Sequence, residues 1–376
     1  MSKNLAQDLA ITCPAVSYIA ESTLLFSGNG LVAQPFFTIG IPTYNRHGML
    51  KDALASVIAQ SFTDFEIIVG NDYTDETLTC EILGLADPRI RIVNHPRNLR
   101  EVGNMNTLLG LASGRYFTWL FDDDLYEPGY LQTAYECLLK TSFPPAFFSS
   151  FRMLKPAEKY QPNILQQSAM IEFTGRDFLR WYSARRPQIG STCGLFDTVA
   201  LRNNVNAVEE LCASAIGIYC EYLFLVKCAL LGRIVYIDAP FYVYRRHVDS
   251  ASESNVDLEN HVLAGQGLVR RCGEVLRHPA LVDDYSANLL NFCIIHIITF
   301  AYVTSRFEYA QKQFGVGTLR RALSRHWKES LRTRTLYVDQ GGDTGFRTRF
   351  AFLKVNIFCW YLIVRHLAHY FVSGLR

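Results

Sequence analysis

The stretch that decides the fold is Tyr116-Phe117-Thr118-Trp119-Leu120-Phe121-Asp122-Asp123-Asp124, an aromatic run that ends in three consecutive carboxylates. Aromatic and β-branched residues favour a buried strand. Three adjacent acids at the end of such a strand repel one another and lose hydration, and a bound cation is the simplest way to offset that cost. Alternation along an extended chain predicts that Asp122 and Asp124 point to one side and Asp123 to the other.

Two interpretations of these acids are open from the local sequence. Asp122 and Asp124 could together approach a hard divalent cation or the phosphates bound to it, because such cations prefer carboxylate oxygens. The same residues could form a solvated turn, since Asp also favours turns and helix starts. The rest of the chain has to distinguish these two interpretations.

Strand and helix signals alternate regularly from residue 36. We predict strands at 36–41, 65–69, 90–94 and 115–121, and helices at 47–60, 74–85 and 101–113, the last ending at Gly114. This alternation predicts an α/β fold with a mostly parallel sheet and helices on both faces. Ligands of such sheets bind at the carboxyl ends of the strands. The polar segments 42–46, 71–75 and 122–124 should therefore converge at one edge, which favours a metal or phosphate site.

The second half of this region is less regular. We predict strands at 146–153, 191–196, 233–237 and 241–244, a short helix capped by Thr174, and a helix at 216–231. Glu221 is an acid on that apolar helix, where it could act as a general base or remain a partly exposed surface residue. His247 could be a neutral metal ligand or a surface histidine. Arg245 and Arg246 could hold phosphate or be solvated.

Composition sets limits on the class of protein. With 376 residues, nearly half of them hydrophobic, the chain can bury a sizeable core. The net charge of +2 suggests no nucleic-acid partner. The ten cysteines form no CxxC pair, so a zinc or thioredoxin-type motif is absent from the sequence, and a reducing cytoplasm is expected. No long uncharged apolar run follows the N-terminus, so we expect no cleaved signal peptide.

Five segments support a family resemblance. They are TIGIPTYNR at 38–46, SFTDFEIIVGNDYTD at 61–75, NLREVGNMN at 98–106 with ASGRY at 112–116, CEY at 220–222, and YVYRRHVDS at 242–250. Their order and spacing resemble the family-2 glycosyltransferases of GT-A fold, which have a mixed, mostly parallel sheet with flanking helices. The resemblance divides the chain into an N-terminal extension at 1–35, a GT-A domain at 36–250 and a helical C-terminal region at 251–376.

The resemblance implies a function and a set of roles. It implies an inverting, metal-dependent transfer of a sugar from a nucleotide-diphosphate sugar, with a UDP-sugar expected, to a hydroxyl of a glycan or lipid-linked acceptor in bacterial surface polysaccharide synthesis. Glu221 would deprotonate the acceptor, and Mn²⁺ or Mg²⁺ would be held by Asp122, Asp124 and His247. The residues implied to bind the nucleotide sugar are Pro42, Thr43, Tyr44, Asn45, Arg46, Asn71, Asp72, Asn104, Asp122 and Asp123, with Asp72 contacting the base.

The C-terminal region lies outside the resemblance. The apolar run 289–303 is interrupted by Asn291 and His296, which predicts a buried helix and not a membrane span. From 320 to 376 there are eleven Lys and Arg against three Asp and Glu. The segment 350–371 has an apolar side opposite Lys354, Tyr361, Arg365 and His369, a pattern typical of a helix on an anionic membrane surface. Packing on the catalytic domain or on a second subunit stays open, and we expect a cytoplasmic protein with peripheral contact at the inner face of the cell membrane.

Two other functions compete with sugar transfer. A nucleotidyltransferase would carry a Gly-rich, Arg-containing loop after the first strand, which Pro42-Thr43-Tyr44-Asn45 is not. A non-catalytic sugar-nucleotide-binding protein would not need Asp122, Asp124 and Glu221. A dinucleotide-dependent dehydrogenase is disfavoured because no GxGxxG follows a strand.

Overall fold

A computed structural model describes residues 23–26, 34–156, 158–163, 169–247, 250, 257–310 and 316–373. The chain divides into two compact units. The first unit comprises Met1–Glu209, Ala215–Gly217 and Lys227–Ser250, and the second comprises Glu210–Ser214, Ile218–Val226 and Ala251–Arg376. Most of the 1–35 extension lies outside the described residues.

A mixed sheet forms the centre of the first unit. Its described strands are β1 Thr23–Phe26, β2 Phe37–Thr43, β3 Phe65–Asn71, β4 Ile90–Asn94, β5 Tyr116–Trp119, β6 Leu125–Tyr126, β7 Ala146–Leu154, β8 Met170–Thr174, β9 Leu195–Asp197 and β10 Arg233–Arg245. The strand order is β1-β4-β3-β2-β5-β9-β7-β10-β6, and β8 also pairs with β10. The ladders β4–β3, β3–β2, β2–β5 and β7–β10 are parallel, and the other ladders are antiparallel.

Helices flank this sheet. They are α1 His47–Ile58, α2 Cys80–Leu83, α3 Arg100–Leu111, α4 Tyr130–Lys140 and α5 Gly175–Arg185, followed by the short turns Thr198–Ala200 and Leu201–Val205. Every residue of β2 is buried, as expected for a parallel strand covered on both faces. The predicted α/β class, with a parallel sheet centre and flanking helices, is therefore confirmed.

The acid-bearing strand is shorter than predicted. Strand β5 ends at Trp119, and a turn follows in which the Asp124 N–H donates to the Phe121 carbonyl at 3.0 Å. The chain is therefore not extended through the three acids. The extended conformation on which the alternation of Asp122, Asp123 and Asp124 was predicted is wrong for this reason.

The predicted helix at 74–85 is limited to α2, Cys80–Leu83. Side chains at the ends of β3 and β4 bind the backbone of the loop that precedes α2 and keep it non-helical. The Asn71 amide donates to the carbonyl of Glu76 at 2.9 Å, and the Asn94 side chain accepts from the Leu78 N–H at 2.8 Å. These contacts satisfy backbone groups that a longer helix would have paired internally.

Gly114 does not cap a helix, because α3 ends at Leu111 with Ala112 as its C-cap. Instead, a Cβ on Gly114 would lie 2.7 Å from the carbonyl carbon of Phe37, so the glycine permits close approach to β2. The predicted strand at 191–196 is observed only as β9, Leu195–Asp197. The two strands predicted at 233–237 and 241–244 are one strand, β10, with register shifts around Pro240.

Helices form the second unit, which confirms the predicted helical C-terminal region. Helix α6, Cys220–Cys228, begins in this unit and is shorter than the predicted 216–231. The others are α7 Leu258–Leu276, α8 Tyr285–Ala310, α9 Val316–Asp339 and α10 Phe346–Ser373. Leu289, Phe292, Ile297 and Phe300 of α8 are buried, so the predicted buried helix is confirmed.

Candidate active site

The polar segments after β2, β3 and β5 meet at one edge of the sheet. The Thr43 hydroxyl donates to Asp122 Oδ2 at 2.7 Å, and the Asp72 N–H donates to the Thr43 carbonyl at 3.0 Å. Thr43 is thus hydrogen-bonded to the segments that follow both neighbouring strands. The convergence expected from parallel strand ends is confirmed.

Arg46 joins two of the three acids. One guanidinium nitrogen lies 2.9 Å from Asp122 Oδ1, and the other lies 2.9 Å from Asp123 Oδ2. The Asp122 side chain is buried, and the Asp123 side chain is partly exposed. The arginine at the end of the first predicted loop therefore partly neutralises the acid cluster.

Asp124 has different partners. Its Oδ2 accepts from the Tyr242 hydroxyl at 2.6 Å, and its Oδ1 accepts from the Arg245 N–H at 2.9 Å. The Arg245 guanidinium contacts Asp52 Oδ2 at 2.8 Å and donates to the Asp123 carbonyl. The Arg245 side chain therefore links the acid turn to α1 and is not simply solvated, while its contact with phosphate stays a prediction.

Burial raises the pKa of two of these acids. Desolvation raises the pKa of Asp122 to about 6, although Arg46 and the Thr43 hydrogen bond oppose the shift. Desolvation also raises the pKa of Asp124 well above its ordinary value, and the neighbouring Asp123 adds to the effect. The turn thus keeps carboxyl groups in a desolvated position that disfavours their charged form. Such raised pKa values are typical of sites that bind cations or catalyse reactions.

His247 lies beside the same cluster. Its Nε2 is 3.1 Å from Asp123 Oδ2, while its Nδ1 is buried without a hydrogen-bond partner. His247 is therefore placed with Asp123, and Asp124 is occupied by Tyr242 and Arg245. The structure therefore brings the predicted ligands close together, but Asp122, Asp124 and His247 each have different protein partners.

The donor set can be compared with the needs of Mg²⁺ or Mn²⁺. Within the described ranges, no group of three or more His, Cys, Asp or Glu side chains is arranged to hold a metal ion. Mg²⁺ needs fewer protein ligands, because it keeps waters and binds substrate phosphates with one or two carboxylates. Asp122 Oδ1 is buried and accepts no well-aligned hydrogen bond, despite its 2.9 Å distance from Arg46. The chemistry of the turn therefore fits such an ion, with Asp122 as the best-placed ligand.

Asp72 is a second buried carboxylate at this edge. Its Oδ1 accepts the Leu99 N–H at 2.6 Å, yet desolvation outweighs that bond and raises its pKa to about 6. Nearby, Tyr44 is 49% exposed, and its ring centroid lies 5.4 Å from that of Tyr73 in a T-shaped arrangement. Asn45, also exposed, has a left-handed φ of 51°. An exposed aromatic surface and a buried acceptor are suited to a planar base.

Three of the residues predicted to bind the nucleotide sugar are instead buried, and they contact other parts of the protein. Pro42 is buried in β2. The Asn71 amide donates to the Tyr73 and Glu76 carbonyls and to the Asn94 side chain. Asn104 donates to the Gly70 carbonyl at 2.8 Å and pairs with His95 at 3.0 Å. These side chains support the loops that carry Tyr44 and Asp72.

Glu221 belongs to the second unit. Its surface is accessible to solvent, and desolvation by the protein around it raises the pKa of its carboxyl. Tyr219, two residues earlier, has a left-handed φ of 61°, an uncommon conformation for a bulky residue. Such strain persists only where surrounding contacts enforce it.

A chain of hydrogen-bonded side chains, buried up to Glu329, holds the Tyr219 side chain. The Tyr219 hydroxyl lies 3.0 Å from His296 Nδ1, and His296 Nε2 lies 3.0 Å from Glu329 Oε1. Arg332 donates to the other Glu329 oxygen at 2.7 Å. A Cβ on Gly265 would lie 2.1 Å from the His296 ring. The sequence showed His296 only as an interruption of an apolar run, so this support for the segment before Glu221 was missed.

Comparisons with known proteins identify the family of the chain. Residues 38–144 match the model of glycosyl transferase family 2. An uncharacterized glycosyltransferase of Haemophilus influenzae is 30% identical over 227 residues, covering 58% of this chain and 68% of that protein. The UDP-Glc:alpha-D-GlcNAc-diphosphoundecaprenol beta-1,3-glucosyltransferase WfgD of Escherichia coli is 27% identical over 105 residues, 28% of this chain and 42% of that protein.

Among solved structures, Staphylococcus aureus TarS 1–349 in complex with UDP-GlcNAc has a TM-score of 0.48 and 17% identity, covering 82% of this chain and 93% of that one. The sequence matches carry the assignment. The chain belongs to glycosyl transferase family 2, and it is a glycosyltransferase. The resemblance noted from the five segments is confirmed.

Proposed function

We propose that this glycosyltransferase moves a sugar from a nucleotide-diphosphate sugar, with a UDP-sugar expected, to a hydroxyl of a glycan or lipid-linked acceptor. The observation that carries the proposal is the edge at which Thr43, Asp72 and Asp122 are linked by hydrogen bonds. It combines an acid turn for a diphosphate-bound cation with an aromatic surface for a base. The WfgD relative is named for a diphosphoundecaprenol-linked acceptor, which supports a lipid-linked acceptor here. We further propose that the transfer belongs to bacterial surface polysaccharide synthesis and takes place in the cytoplasm.

The roles of the chain's own residues follow from their contacts. Tyr44 and Tyr73 offer ring surface to the base, and Asp72 accepts its N–H. Arg46 is partly exposed and can exchange its carboxylate partners for diphosphate oxygens. Asp122, with Asp124 and His247 beside it, would hold Mn²⁺ or Mg²⁺, which supplies positive charge to stabilise the leaving diphosphate.

Inversion requires a single displacement. The acceptor oxygen forms a bond to the anomeric carbon while the bond from that carbon to the diphosphate oxygen breaks, and the nucleoside diphosphate leaves with the electron pair. We propose that Glu221 takes the proton of the acceptor hydroxyl, for which a raised pKa is favourable. A retaining hydrolase would instead need a second paired carboxylate.

The test is a thermal-shift screen of nucleotide sugars with and without Mn²⁺, followed by a transfer assay with the best donor. The proposal predicts stabilisation by one class of nucleotide sugar that depends on Mn²⁺, because a ligand that binds only the folded state raises its stability. Product NMR should then show an anomeric configuration opposite to that of the donor. Stabilisation by nucleoside triphosphates and not by sugar nucleotides would favour the nucleotidyltransferase interpretation.

A further inference from the structure

Helix α10 has a large apolar face exposed to solvent. Its other side packs within the second unit through Phe352, Val355, Cys359 and Ile363, which are all buried. The exposed side carries Phe346, Phe350, Leu353, Ile357, Trp360, Tyr361 and Val364. Phe346 is 82% exposed and Ile357 is 56% exposed. The predicted apolar side of this helix is therefore divided, because Phe352 and Ile363 are buried while Ile357, Phe358 and Trp360 are exposed.

Helix α9 extends this face. Its Trp327, Leu331 and Val338 are each 42% exposed. The rings of Trp327 and Trp360 lie 5.7 Å apart, so the exposed residues of the two helices adjoin. We call these exposed side chains of α9 and α10 the apolar face. Contiguous exposed patches of this kind mark binding surfaces in soluble proteins.

Basic residues border the apolar face. Arg347, Lys354 and Arg365 recur at helical spacing on the exposed side of α10, next to the apolar positions. The Lys354 ammonium lies 5.2 Å from the centre of the Phe350 ring. On α9, Arg320, Lys328 and Arg334 are exposed as well. The charge that would complement this surface is negative.

We propose that the apolar face docks on the surface of a bilayer containing anionic lipids. Aromatic and aliphatic side chains would enter the boundary between headgroups and acyl chains, and the flanking Lys and Arg would contact lipid phosphates. Charge complementarity favours this occupant over a second copy of the chain, whose face would be equally basic.

A surface position fits better than a span. Helices Val282–Ala310 and Phe346–His369 are long and apolar enough to cross a membrane by length and composition, but in the first 61% of the most apolar stretch is buried inside the structure. It also buries polar groups such as Asn288, His296 and Glu308. Helix α10 has one side packed in the unit, and its exposed side is charged at Lys354 and Arg365, so only that side is available to lipid.

The experiment is flotation of the full-length protein with vesicles of phosphatidylcholine alone or with phosphatidylglycerol at about a 2:1 ratio. The proposal predicts binding to the anionic vesicles, weaker binding to neutral ones, and release by high salt. The triple variant Arg347→Gln, Lys354→Gln, Arg365→Gln should lose about a hundredfold in partition, since each basic residue near the surface contributes about fivefold. Leu353→Glu with Ile357→Glu should lose at least about tenfold.

Matched controls separate this face from general charge and exposure effects. The triple Lys140→Gln, Lys155→Gln, Arg185→Gln removes the same charge from exposed sites of the first unit, and Leu263→Glu alters an apolar residue of α7 that is 49% exposed. These controls should bind vesicles like the wild type. Thermal stabilisation by nucleotide sugar, measured on every variant, should be unchanged, so the outcome is independent of the proposed function.

Three results would overturn the proposal. The first is an absence of vesicle binding, or equal losses in the controls. The second is resistance to carbonate extraction from membranes, which indicates a span. The third is a dimer in sedimentation that Leu353→Glu with Ile357→Glu dissociates, which indicates a second copy on the face.

Discussion

Replacing Arg46 with alanine tests how the acid turn is held together. The substitution removes two contacts of 2.9 Å and leaves Asp122 buried without its cationic partner. Breaking a buried ion pair from one side costs about 3–5 kcal/mol. Because the Arg46 side chain is 30% exposed, water compensates part of this loss, and we expect a destabilisation of about 2–4 kcal/mol.

The assay is urea unfolding followed by tryptophan fluorescence, with and without saturating Mn²⁺. With a slope of about 3 kcal/mol per M, the loss lowers the midpoint by roughly 1 M. A cation that binds the vacated carboxylates at a hundred times its Kd contributes about 2.7 kcal/mol, so Mn²⁺ should restore most of the midpoint. Calorimetry without nucleotide should also show that the variant binds Mn²⁺ more tightly than the wild type does.

Arg91→Ala is the matched control. Arg91 lies 3.0 Å from Glu66 Oε2 with a similar exposure of 22%, but that pair is not part of the acid turn. It should also lower the midpoint, without rescue by Mn²⁺. The reasoning is refuted if Arg46→Ala leaves the midpoint unchanged, or if Mn²⁺ rescues both variants equally.

Three further predictions concern other parts of the site. Glu221→Gln should abolish transfer while leaving nucleotide-sugar affinity within about twofold, and loss of donor binding would indicate a structural role. The folded-state pKa of Asp72, raised to about 6 from 3.8, means that the folded protein holds more protons between these values, so its stability falls as pH rises from about 4 to 6. In urea titrations across that range, the free energy of unfolding of the wild type should change by about 1–3 kcal/mol through Asp72, and Asp72→Asn should remove this change. The variant should also bind UDP more weakly. An unchanged pH profile would contradict the assignment. Gly265→Ala should displace His296 and lower both transfer activity and stability. Adding His296→Ala should partly relieve these losses. Additive losses in a double-mutant cycle would show that the two residues do not interact.

The sheet was predictable because its signals are local and periodic. Buried strands with continuous apolar sequence and amphipathic helices alternate over residues 36–121, and parallel strand ends must share an edge. The family resemblance added the order of the segments and the position of Glu221. These features located the acid turn, the Thr43 segment and the Asp72 segment correctly.

The side-chain partners inside the site were not predictable in the same way. In an extended chain, Asp122 and Asp124 would lie on the same side. The turn after Trp119 instead brings Asp123 into contact with Arg46 and Asp124 into contact with Tyr242. Tyr242 is more than a hundred residues away in sequence, so no local pattern reports the contact. His296 and Glu329 were missed for the same reason, because their role depends on packing between α8 and α9.

The most direct test of the central claim is calorimetric titration of UDP and Mn²⁺ into the wild type and into Asp122→Asn, with Arg91→Ala as a folded control. The claim is that the acid turn binds the donor diphosphate together with a divalent cation. It predicts that Mn²⁺ and UDP each tighten the binding of the other in the wild type and in Arg91→Ala. In Asp122→Asn this coupling should be lost. Equal coupling in all three proteins, or UDP binding indifferent to Mn²⁺ throughout, would contradict the claim.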